Sequence, residues 1–475
     1  AAPEMLRGQL PAGMNQTDQP ELADLSLIPS AEISQGVDWI YAVVGPFPML
    51  TDQLSWNDLL GRWEGLSAEW GPVLVSEPTL LAMKTIFGEP DGASVEVVAA
   101  DRLVDRLWEL QSAIAIVPFE ELEPRLKVLS LEGQSPISNQ FDPEAYPLRV
   151  HFGWQGSAGA LELQQAALER GEAVHLDSNR DPGRLTVLVM TGVTALVRAT
   201  AARMEQMGMT YPGRDIRDWL VSADLTHISN EVSFTPTCPN PNPNQYELIF
   251  CSKPEYIELL DDVGTDILDL TGNHGIDWGR DALAYSLDLY RQRGWTVFAA
   301  GENLAAALAA ATIEHNGNRF AFIGCNPVGP PYIWAAENLS GVANCDYPWM
   351  WAEIRRLRDE GYIVIMTFQY FETYRATVEP FEMRDFRSMV DAGAMIVSGS
   401  QAHHPMAMEF YGGSFIHYGL GNLFFDQMFN ETYPIQQGTR KEFIDRHVFY
   451  NGRHISTELL TTFLEDFARP RPMSE

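Results

Sequence analysis

The sequence predicts an α/β protein with two domains. Short apolar runs alternate with amphipathic helical segments from Val37 onward, which is the pattern of strands and helices in turn. A polar turn at 178–183 divides this alternation into a shorter and a longer series. The chain has 475 residues, more than one ordinary hydrophobic core accommodates. These observations predict a small α/β domain followed by a larger one.

The first series predicts a compact domain at 31–154, after a polar, Pro-containing leader at 1–30. Residues 155–183 are interpreted as a linker that carries one helix at 158–169. The strands of this first series are predicted at 39–44, 72–75, 95–98, 113–117, 127–131 and 148–152. Its helices, opened by capping residues such as Ser55 and Asp101, are predicted at 56–63, 79–87 and 103–110.

The second series predicts a larger α/β domain at 184–466, with a short tail at 467–475. Its strands are predicted at 185–190, 225–228, 267–270, 296–298, 320–323, 363–368, 395–398, 414–418 and 447–450. Its helices are predicted at 281–293, 349–360 and 381–392. The repeated order of strand and helix favours parallel strands, whose carboxyl ends gather at one edge of a sheet.

Composition excludes several classes of protein. Hydrophobic residues make up 45% and aromatic residues 11% of the chain, which is incompatible with a disordered protein. The net charge of -32 argues against nucleic acid as a partner, because phosphate binding needs basic patches. It also disfavours an anionic membrane surface. No apolar run approaches the roughly 18 residues of a membrane-spanning helix, so none is expected.

The cysteines predict a location outside the cytoplasm. Four cysteines fall in two local pairs, Cys238 with Cys251 and Cys325 with Cys345, each around a loop rich in Pro, Asn or Gly. No short metal-binding spacing is present. Two disulfides are expected, with buried free thiols as the alternative, and disulfides persist in oxidising compartments. The initial Ala-Ala-Pro is typical of a mature end left by signal peptidase, and equally of an arbitrary boundary.

The turn from Gly272 to Gly279 carries the strongest chemical signal. It follows an apolar strand pattern and presents an amide, an imidazole and a carboxylate in Asn273, His274 and Asp277. Asn and His can ligate a metal, and His also transfers protons near neutral pH. The structural alternative is a helix start, with Asn273 and Asp277 capping free amides and a core-facing imidazole.

Three further polar turns follow predicted strands of the second series. Because strand ends of one open sheet converge on one crevice, we expect these turns to meet the Gly272 turn. Taken singly, each turn is also explained as ordinary loop structure. The turns are Ser229-Asn230-Glu231, the stretch from Gly399 through Gln401, His403 and His404 to Pro405, and the stretch from Tyr418 through Asn422 to Asp426.

Residues from about 185 to 465 resemble the CapA family, whose members are named for poly-γ-glutamate capsule synthesis. The resemblance is carried by Gly272-Asn273-His274 with Asp277 and Gly279, by Asp391-Ala392-Gly393-Ala394 with Gly399-Ser400 and His403, and by Tyr411-Gly412-Gly413 through Gly421-Asn422 to Phe425-Asp426. It implies a metallophosphoesterase-like two-sheet α/β sandwich flanked by helices, preceded here by the smaller α/β domain. It also implies a metal-binding crevice at the strand ends.

The chain departs from the family pattern at several metal positions. Val193 stands where an early Gly-Asp turn supplies a carboxylate, and Gln401 replaces the first His of the final His-x-His. Gln369 or Tyr370 falls where another His is usual. The Asn-Leu-Glu turn becomes Ser229-Asn230-Glu231, which displaces the Asn. A two-metal centre needs a bridging carboxylate and several further ligands, so the remaining set predicts one divalent metal ion or none.

The resemblance implies roles for the residues that remain. His274 is the predicted general acid or electrostatic stabiliser, and Glu231 the predicted base or ligand. The predicted metal ligands are Asn273, His403 and Glu231, and the predicted substrate contacts are His404, Asn230 and Gln401. For Glu231 the alternative is a hydrogen-bonded turn carboxylate. Asp277 is expected to fix the helix start, and Asn422 and Asp426 to brace their turn.

The first series resembles lobes of periplasmic solute-binding proteins in style, without a diagnostic motif. The resemblance rests on the opening from Val43 to Pro48 and the strand from Ala113 to Phe119. In such lobes, turns after strands bind small anions through backbone amides. Ser76 and Thr79 are the candidate contacts, and helix capping is the alternative explanation for both.

Two functions follow from these patterns. The first is an extracytoplasmic hydrolase or transferase that acts on an extracellular polymer of the polyglutamate or capsule class. The second is a cell-surface binding or structural protein that keeps the fold without the di-metal site. The expected partner is an extracellular polymer or a small anionic ligand, with self-association as a further option. No phosphate-cradling Gly-Lys loop is present, which argues against a nucleotide enzyme.

Overall fold

The computed structural model describes residues 23–30, 32–33, 36–66, 71–170, 178–427 and 438–473. The chain divides into two compact units, Ala1–Pro182 and Gly183–Glu475. The division falls inside the polar turn at 178–183. Most of the predicted leader, 1–22, and the last two residues of the predicted tail lie outside the described residues.

The first unit is built on one mixed sheet with helices between its strands. The strands are β1 (Leu25–Pro29), β2 (Gly36–Pro46), β3 (Gln53–Leu54), β4 (Val73–Val75), β5 (Val95–Val97), β6 (Ile114–Pro118), β7 (Leu126–Leu131) and β8 (Arg149–Gly156). The helices are α1 (Trp56–Trp63), α2 (Glu77–Phe87), α3 (Ala100–Leu110) and α4 (Ala158–Glu169). The main path runs β1-β8-β2-β6-β4-β5, with β7 paired to β2 and β3.

Local capping explains where the helices of this unit begin. Ser55 and Asp58 form a reciprocal capping box at the start of α1. The Ser76 hydroxyl accepts a hydrogen bond from the Thr79 amide at 3.4 Å and contacts the Thr79 hydroxyl at 2.9 Å. Both side chains are buried. Ser76 and Thr79 therefore close the start of α2, and this capping accounts for their polar groups.

The second unit contains sixteen described strands and seven helices. The strands are β9 (Leu185–Thr194), β10 (Leu225–Asn230), β11 (Ile267–Asp269), β12 (Thr296–Phe298), β13 (Ala300–Gly301), β14 (Ala311–His315), β15 (Asn318–Cys325), β16 (Gly341–Val342), β17 (Ile363–Gln369), β18 (Ile396–Ser400), β19 (Met408–Tyr411), β20 (Ser414–His417), β21 (Asn422–Phe424), β22 (Lys441–Tyr450), β23 (Arg453–Glu465) and β24 (Arg469–Pro472). The helices are α5 (Arg198–Met207), α6 (Arg217–Val221), α7 (Ile257–Asp262), α8 (Arg280–Arg293), α9 (Leu304–Leu308), α10 (Tyr347–Asp359) and α11 (Pro380–Ala392).

Fourteen of these strands form two large sheets, and β13 and β16 pair as a small third one. Sheet one runs β12-β11-β10-β9-β22-β23-β24, with β21 beside β9, and sheet two runs β14-β15-β17-β18-β20-β19. Strands β9 to β12 are parallel to one another in sheet one. Strands β15, β17, β18 and β20 are parallel in sheet two. Each sheet therefore presents the carboxyl ends of several neighbouring strands at one edge.

A shared apolar core shows that the two sheets are packed face to face. One cluster joins Leu188, Ile267 and Phe298 of sheet one to Phe322 and Ile365 of sheet two. The opposite face of sheet one packs on α5, α7 and α8, and that of sheet two on α10 and α11. This arrangement confirms the predicted α/β fold, a two-sheet sandwich flanked by helices and preceded by a smaller α/β unit.

Two segments that the sequence predicts to be irregular form strands in the structure. Residues Leu25–Pro29, expected in the leader, pair with β8 in antiparallel register. Residues Arg469–Pro472, expected in the tail, pair with β23. Both are edge strands, where a polar or Pro-containing sequence is tolerated because one side of the strand makes no ladder. Their composition therefore resembled that of loops.

A buried histidine between the sheets gives a test of the packing. His227 is 2% exposed and its ring lies 5.9 Å from that of Phe298 and 6.4 Å from that of Phe322. Burial lowers the pKa of His227 from 6.5 to about 4. Between about pH 6.5 and 4, His227 therefore binds a proton in the unfolded chain but not in the folded chain. The contribution of His227 to the free energy of unfolding thus becomes less favourable as the pH falls through that range.

We expect His227→Phe to remove this loss. The free energy of unfolding of the variant, compared with the unchanged protein, should rise by about 3 kcal/mol between neutral pH and pH 4, since each pKa unit corresponds to about 1.4 kcal/mol. Calorimetric unfolding at pH 7 and at pH 4 measures the difference. The Asp269 carboxyl, 3.9 Å from the His227 ring, is kept unchanged in both proteins. A difference that stays constant with pH would contradict the assignment.

Candidate functional site

A cluster of buried polar side chains joins the two sheets at their strand ends. The Gln369 amide nitrogen donates to a Glu231 carboxylate oxygen at 2.7 Å and to the Asn273 amide oxygen at 3.2 Å. The Gln401 side-chain oxygen is a third acceptor at this nitrogen, so two N–H groups are shared among three oxygens. Glu231 and Asn273 follow strands of sheet one, whereas Gln369 ends β17 and Gln401 follows β18 of sheet two. The predicted convergence of these turns is therefore present in the structure.

Backbone geometry explains how these groups come so close. A Cβ atom at Gly272 would lie 2.6 Å from the Glu231 Cα, so only glycine allows the two turns to approach. Gln401 adopts a left-handed backbone, with φ of 77°. Such a conformation is costly for a residue other than glycine and is held by the surrounding structure. A further contact between the sheets joins the Ser229 and Ser400 hydroxyls at 3.0 Å.

His274 is oriented by a carboxylate. Its Nδ1 lies 2.7 Å from an oxygen of Asp277, which also accepts the Phe250 backbone amide at 2.8 Å. The Asp277 side chain is 4% exposed, and that of His274 is 16% exposed. Helix α8 begins only at Arg280, with Gly279 at its cap. Asp277 thus holds the imidazole, and the expectation that it fixes the helix start is wrong.

The surroundings of His274 favour its protonated form. Burial by itself lowers the pKa of the imidazole, but the hydrogen bond to Asp277 and the nearby charge of Glu231 outweigh burial. Arg198 acts in the opposite direction. The net result is a pKa above the ordinary histidine value. With Nδ1 held by Asp277, Nε2 is the nitrogen that can exchange a proton with a ligand, and it lies 3.4 Å from the Asn273 side-chain nitrogen, a contact that such a ligand would replace.

A cationic and aromatic wall lies beside His274. The Phe250 ring is 4.7 Å from the His274 ring, and the Arg198 guanidinium lies 5.1 Å from Phe250 and 4.9 Å from Phe425. Asp426 holds Arg198 through two bonds from the guanidinium, at 3.0 and 2.5 Å. A second Asp426 oxygen accepts the Ala199 amide at 2.7 Å. Asp426 therefore fixes a positive charge near the imidazole, a role beyond the turn bracing expected of it.

The two predicted histidines of the 399–405 turn are each held through Nδ1. His403 is 5% exposed, and its Nδ1 lies 2.7 Å from the Asn422 amide oxygen. Its ring packs 5.2 Å from the Phe425 ring, which also contacts the Arg198 guanidinium. The Nδ1 of His404 lies 2.7 Å from the Pro405 carbonyl oxygen. Asn422 thus positions His403, as the bracing role expected of it requires.

Asn230 is turned away from the polar cluster. Its side-chain amide donates to the Val232 carbonyl and to the Tyr290 hydroxyl, both at 2.9 Å. The residue is 3% exposed and lines a small cavity together with Tyr290 and Ser286 of helix α8. Successive residues in extended backbone point to opposite faces, so Glu231 faces the cluster and Asn230 does not. The structure thus gives the Asn230 amide two internal hydrogen bonds, and its substrate contact stays a prediction.

The donor set does not fit a two-metal centre. Within the described part of the chain, no group of three or more His, Cys, Asp or Glu side chains is placed to hold a metal ion. The oxygens of Glu231, Asn273 and Gln401 converge on an amide nitrogen of Gln369, which carries no lone pair for a metal. Val193 belongs to an apolar cluster with Phe250 and Phe425. Glu231 and Asn273 meet at the Gln369 amide, whereas the contacts of His403 are with Asn422 and Phe425, so the ligand set of Asn273, His403 and Glu231 stays a prediction.

Both predicted disulfides are formed. Cys238 is bonded to Cys251 and Cys325 to Cys345. The first follows directly on Phe250, which contacts both His274 and Asp277. The second adjoins Asn326, whose amide donates to the Thr271 carbonyl at 3.0 Å. The cross-links thus lie on both sides of the turn that carries His274.

Sequence reasoning missed three contributors to this site. Gln369 was removed from the ligand set, Asp277 was assigned to a helix start, and Arg198 was not considered. A carboxylate three residues after a histidine was a usable signal for Asp277, because that spacing allows contact within a tight turn. Gln369 and Arg198 carry no comparable signal, since their neighbours in space are distant in the chain.

The fold and the site together define an α/β sandwich protein with a polar crevice at the strand ends, where an Asp-oriented histidine faces a carboxylate. Residues 187–427 match the family described as bacterial capsule synthesis protein PGA_cap. The matched region is half of the chain. The chain belongs to this family, the CapA family of the sequence resemblance.

Curated relatives agree with this assignment. The PGA biosynthesis protein CapA of Bacillus subtilis is 26% identical over 187 residues, covering 39% of this chain and 49% of that protein. The capsule biosynthesis protein CapA of Bacillus anthracis is 23% identical over 273 residues, covering 56% of this chain and 66% of that protein. A probable polyglutamine synthesis accessory protein of Mycobacterium tuberculosis is 24% identical over 188 residues, with 36% and 48% covered. Each match thus spans less than two thirds of the relative.

Solved structures give only weak similarities. The NAD nucleotidase of Haemophilus influenzae has a TM-score of 0.37 and 8% identity, covering 62% of this chain and 54% of that chain. An ABC-type phosphate transport receptor from Vibrio cholerae has a TM-score of 0.28 and 14% identity, covering 32% and 74%. TM-scores this low do not establish a common fold, and no role is transferred from either protein. Among the described residues, no helix is long and apolar enough to cross a membrane.

Proposed function

We propose that this protein acts outside the cytoplasm on an anionic polymer of the polyglutamate class, as a hydrolase or transferase. Membership of the CapA family supports the polymer class, and the two disulfides support an oxidising compartment. The observation that carries the catalytic part is the pairing of His274 with Asp277 beside Glu231. A histidine held in this way is a suitable general acid or base near neutral pH.

The residues of the crevice support distinct roles. Arg198 and protonated His274 are the cations of the crevice; each is already paired with a carboxylate, Asp426 and Asp277, and a carboxylate of the polymer would share them. His274 would give a proton from Nε2 to the leaving amine of a cleaved amide bond. Glu231, held by Gln369, would orient the attacking water or acceptor group. Because the donor set does not fit two metals, no step is assigned to a metal ion.

The overall acidity of the chain limits how such a polymer binds. The net charge of -32 repels a polyanion at long range. At physiological ionic strength this repulsion is screened beyond about 8 Å, whereas short contacts persist. Binding would therefore depend on close contacts to Arg198 and His274. Recognition of a single carboxylate or chain end fits these two cations better than a long basic groove would.

A non-catalytic binding protein is the second candidate. The observation that favours it is the Gln369 amide, whose two N–H groups are shared among the oxygens of Glu231, Asn273 and Gln401 at the place where a metal ion would lie. A crevice arranged in this way can hold a ligand without activating water. In this form the protein would bind the polymer at the cell surface and would carry no hydrolase activity.

Incubation with poly-γ-glutamate of defined length distinguishes the two candidates. Chain length is followed by size-exclusion chromatography, new amino termini by amine labelling, and binding by calorimetry. Shortened chains with new amino termini support the hydrolase, and transfer to an added amine supports the transferase. Binding without any change in length supports the second candidate. If the protein neither binds poly-γ-glutamate nor changes its length, this polymer is excluded as substrate and as ligand.

A further inference from the structure

The turn that carries His274 is fastened through Phe250. Its backbone amide donates to Asp277 at 2.8 Å, and its ring lies 4.7 Å from the His274 ring and 5.1 Å from the Arg198 guanidinium. Phe250 is 3% exposed. One residue thus contacts the imidazole, the carboxylate that orients it and the neighbouring cation.

Besides the disulfide, a few hydrogen bonds hold the segment that leads to Phe250: the Gln245 amide donates to the Glu247 and Ile249 carbonyls, and Lys253 donates to Asn240, all at 2.8 Å. Most residues from 239 to 249 are exposed, and Tyr246, Leu248 and Ile249 are 93%, 65% and 56% exposed. Their apolar side chains therefore contribute little packing to the segment. The Cys238–Cys251 bond closes this loop at the residue directly after Phe250. Closing a loop reduces the freedom of the open chain and so favours a defined position for its ends.

Ser252 ties the same point to the segments that follow β9 and β10. The Ser252 amide donates to the Ser233 carbonyl at 3.0 Å, and the Thr235 amide donates to the Ser252 carbonyl at 2.9 Å. The Ser252 hydroxyl donates to the Leu196 carbonyl at 3.0 Å. Phe250 therefore lies between a fixed anchor on one side and an exposed loop on the other.

We propose that the Cys238–Cys251 disulfide is a positioning element for His274, so that the crevice is correctly arranged only while this bond is intact. Phe250 is the positioning residue through which the bond acts. Reduction by a dithiol breaks the S–S bond and delivers two electrons and two protons, which leaves two thiols on the protein and oxidises the dithiol to its own disulfide. The freed loop then allows Phe250 to leave the imidazole and Asp277.

The redox state of Cys238 and Cys251 thus controls how the crevice is arranged. This positioning role rests on the proposed function only for the chemical role of His274. The position of the imidazole itself can be measured without any substrate. The consequence is that the chain needs a thiol-oxidising environment, or an enzyme of the disulfide-forming class, before its crevice is complete.

The experiment uses the full chain with isotope-labelled histidine. The NMR signal of the His274 ring is assigned by its loss in His274→Gln. We expect this signal to shift in Cys238→Ser/Cys251→Ser and in protein reduced with dithiothreitol, because the ring-current effect of Phe250 is lost. Hydrogen exchange at the Phe250 amide should accelerate by about tenfold or more, since local opening controls exchange.

Two controls separate positioning from general unfolding. Leu248→Ala changes an exposed side chain of the same loop and should leave the His274 signal and the Phe250 exchange unchanged. The signals of His447 and His454, both buried in sheet one, report whether the fold persists. If the double serine variant does not fold, Phe250→Leu keeps an apolar side chain and should still shift the His274 signal.

Three outcomes would overturn the proposal. An unchanged His274 signal after the Cys238–Cys251 bond is broken shows that the bond does not position the ring. Simultaneous shifts at His274, His447 and His454 show that the bond acts on the whole fold. An unchanged His274 signal in Phe250→Leu removes Phe250 from the path. Each outcome is independent of the polymer experiment, so it leaves the proposed function standing.

Discussion

The variant His274→Gln is expected to lower kcat/KM on poly-γ-glutamate by about 10²- to 10⁴-fold, the usual contribution of a general acid or base. Glutamine keeps a polar side chain of similar reach but cannot exchange a proton. The loss should fall mainly on kcat, because Arg198 still supplies a cation for binding. Initial rates of new amino termini, measured over a range of polymer concentrations, separate the two constants.

Asp277→Asn tests the same assignment through pH. The hydrogen bond to Asp277 is one cause of the raised pKa of His274, so removing its charge lowers that pKa. A general acid works while it is protonated, and the rate falls as the pH rises through its pKa. The alkaline limb of the pH–rate profile should therefore move to lower pH in Asp277→Asn.

His315→Gln is the matched control for both variants. This histidine lies at the end of β14, where it contacts Thr186 near the opposite edge of the sheets. It should keep full activity and an unchanged pH profile. If His274→Gln retained the rate of the unchanged protein, the catalytic role of His274 would be wrong, and the binding function would become the better account.

Asp426→Ala is expected to give the largest loss of stability. The change leaves the mostly buried Arg198 guanidinium without its carboxylate and the Ala199 amide without its acceptor. Breaking a buried ion pair by removing one partner typically costs about 3–5 kcal/mol. The free energy of unfolding should fall by about that amount, and scanning calorimetry measures it. The unfolding transitions of the two units should be compared separately, because the chain need not unfold in one step.

Two further variants sharpen this prediction. Asp359→Ala removes an ion pair in which Arg358 and Asp359 are 49% and 66% exposed, and should cost less than about 1 kcal/mol. Arg198→Met combined with Asp426→Leu removes both charges and should recover part of the stability. This double variant should nevertheless bind the polymer more weakly than the unchanged protein, because it lacks the Arg198 guanidinium. A cost for Asp426→Ala no larger than that for Asp359→Ala would disprove the buried pairing.

The sequence by itself determined the α/β class, the position of the polar turns at strand ends, the disulfide pairs and the family. These features depend on local patterns: apolar periodicity, turn residues and short cysteine spacings each leave a trace within a few residues. The Gly272 turn was located correctly for the same reason. Its residues Asn273 and His274 lie where an apolar strand ends, and that boundary is visible in the chain.

Only the tertiary structure decided which side chains share the crevice. Gln369 and Glu231 are separated by 138 positions in the chain, yet their side chains lie 2.7 Å apart because two sheets meet there. Asn230 and Glu231 are neighbours in sequence but face opposite ways, since the pleat of a strand alternates its side chains. The packing of the sheets and the register of the strands set these relations. Local periodicity in the sequence predicts neither of them.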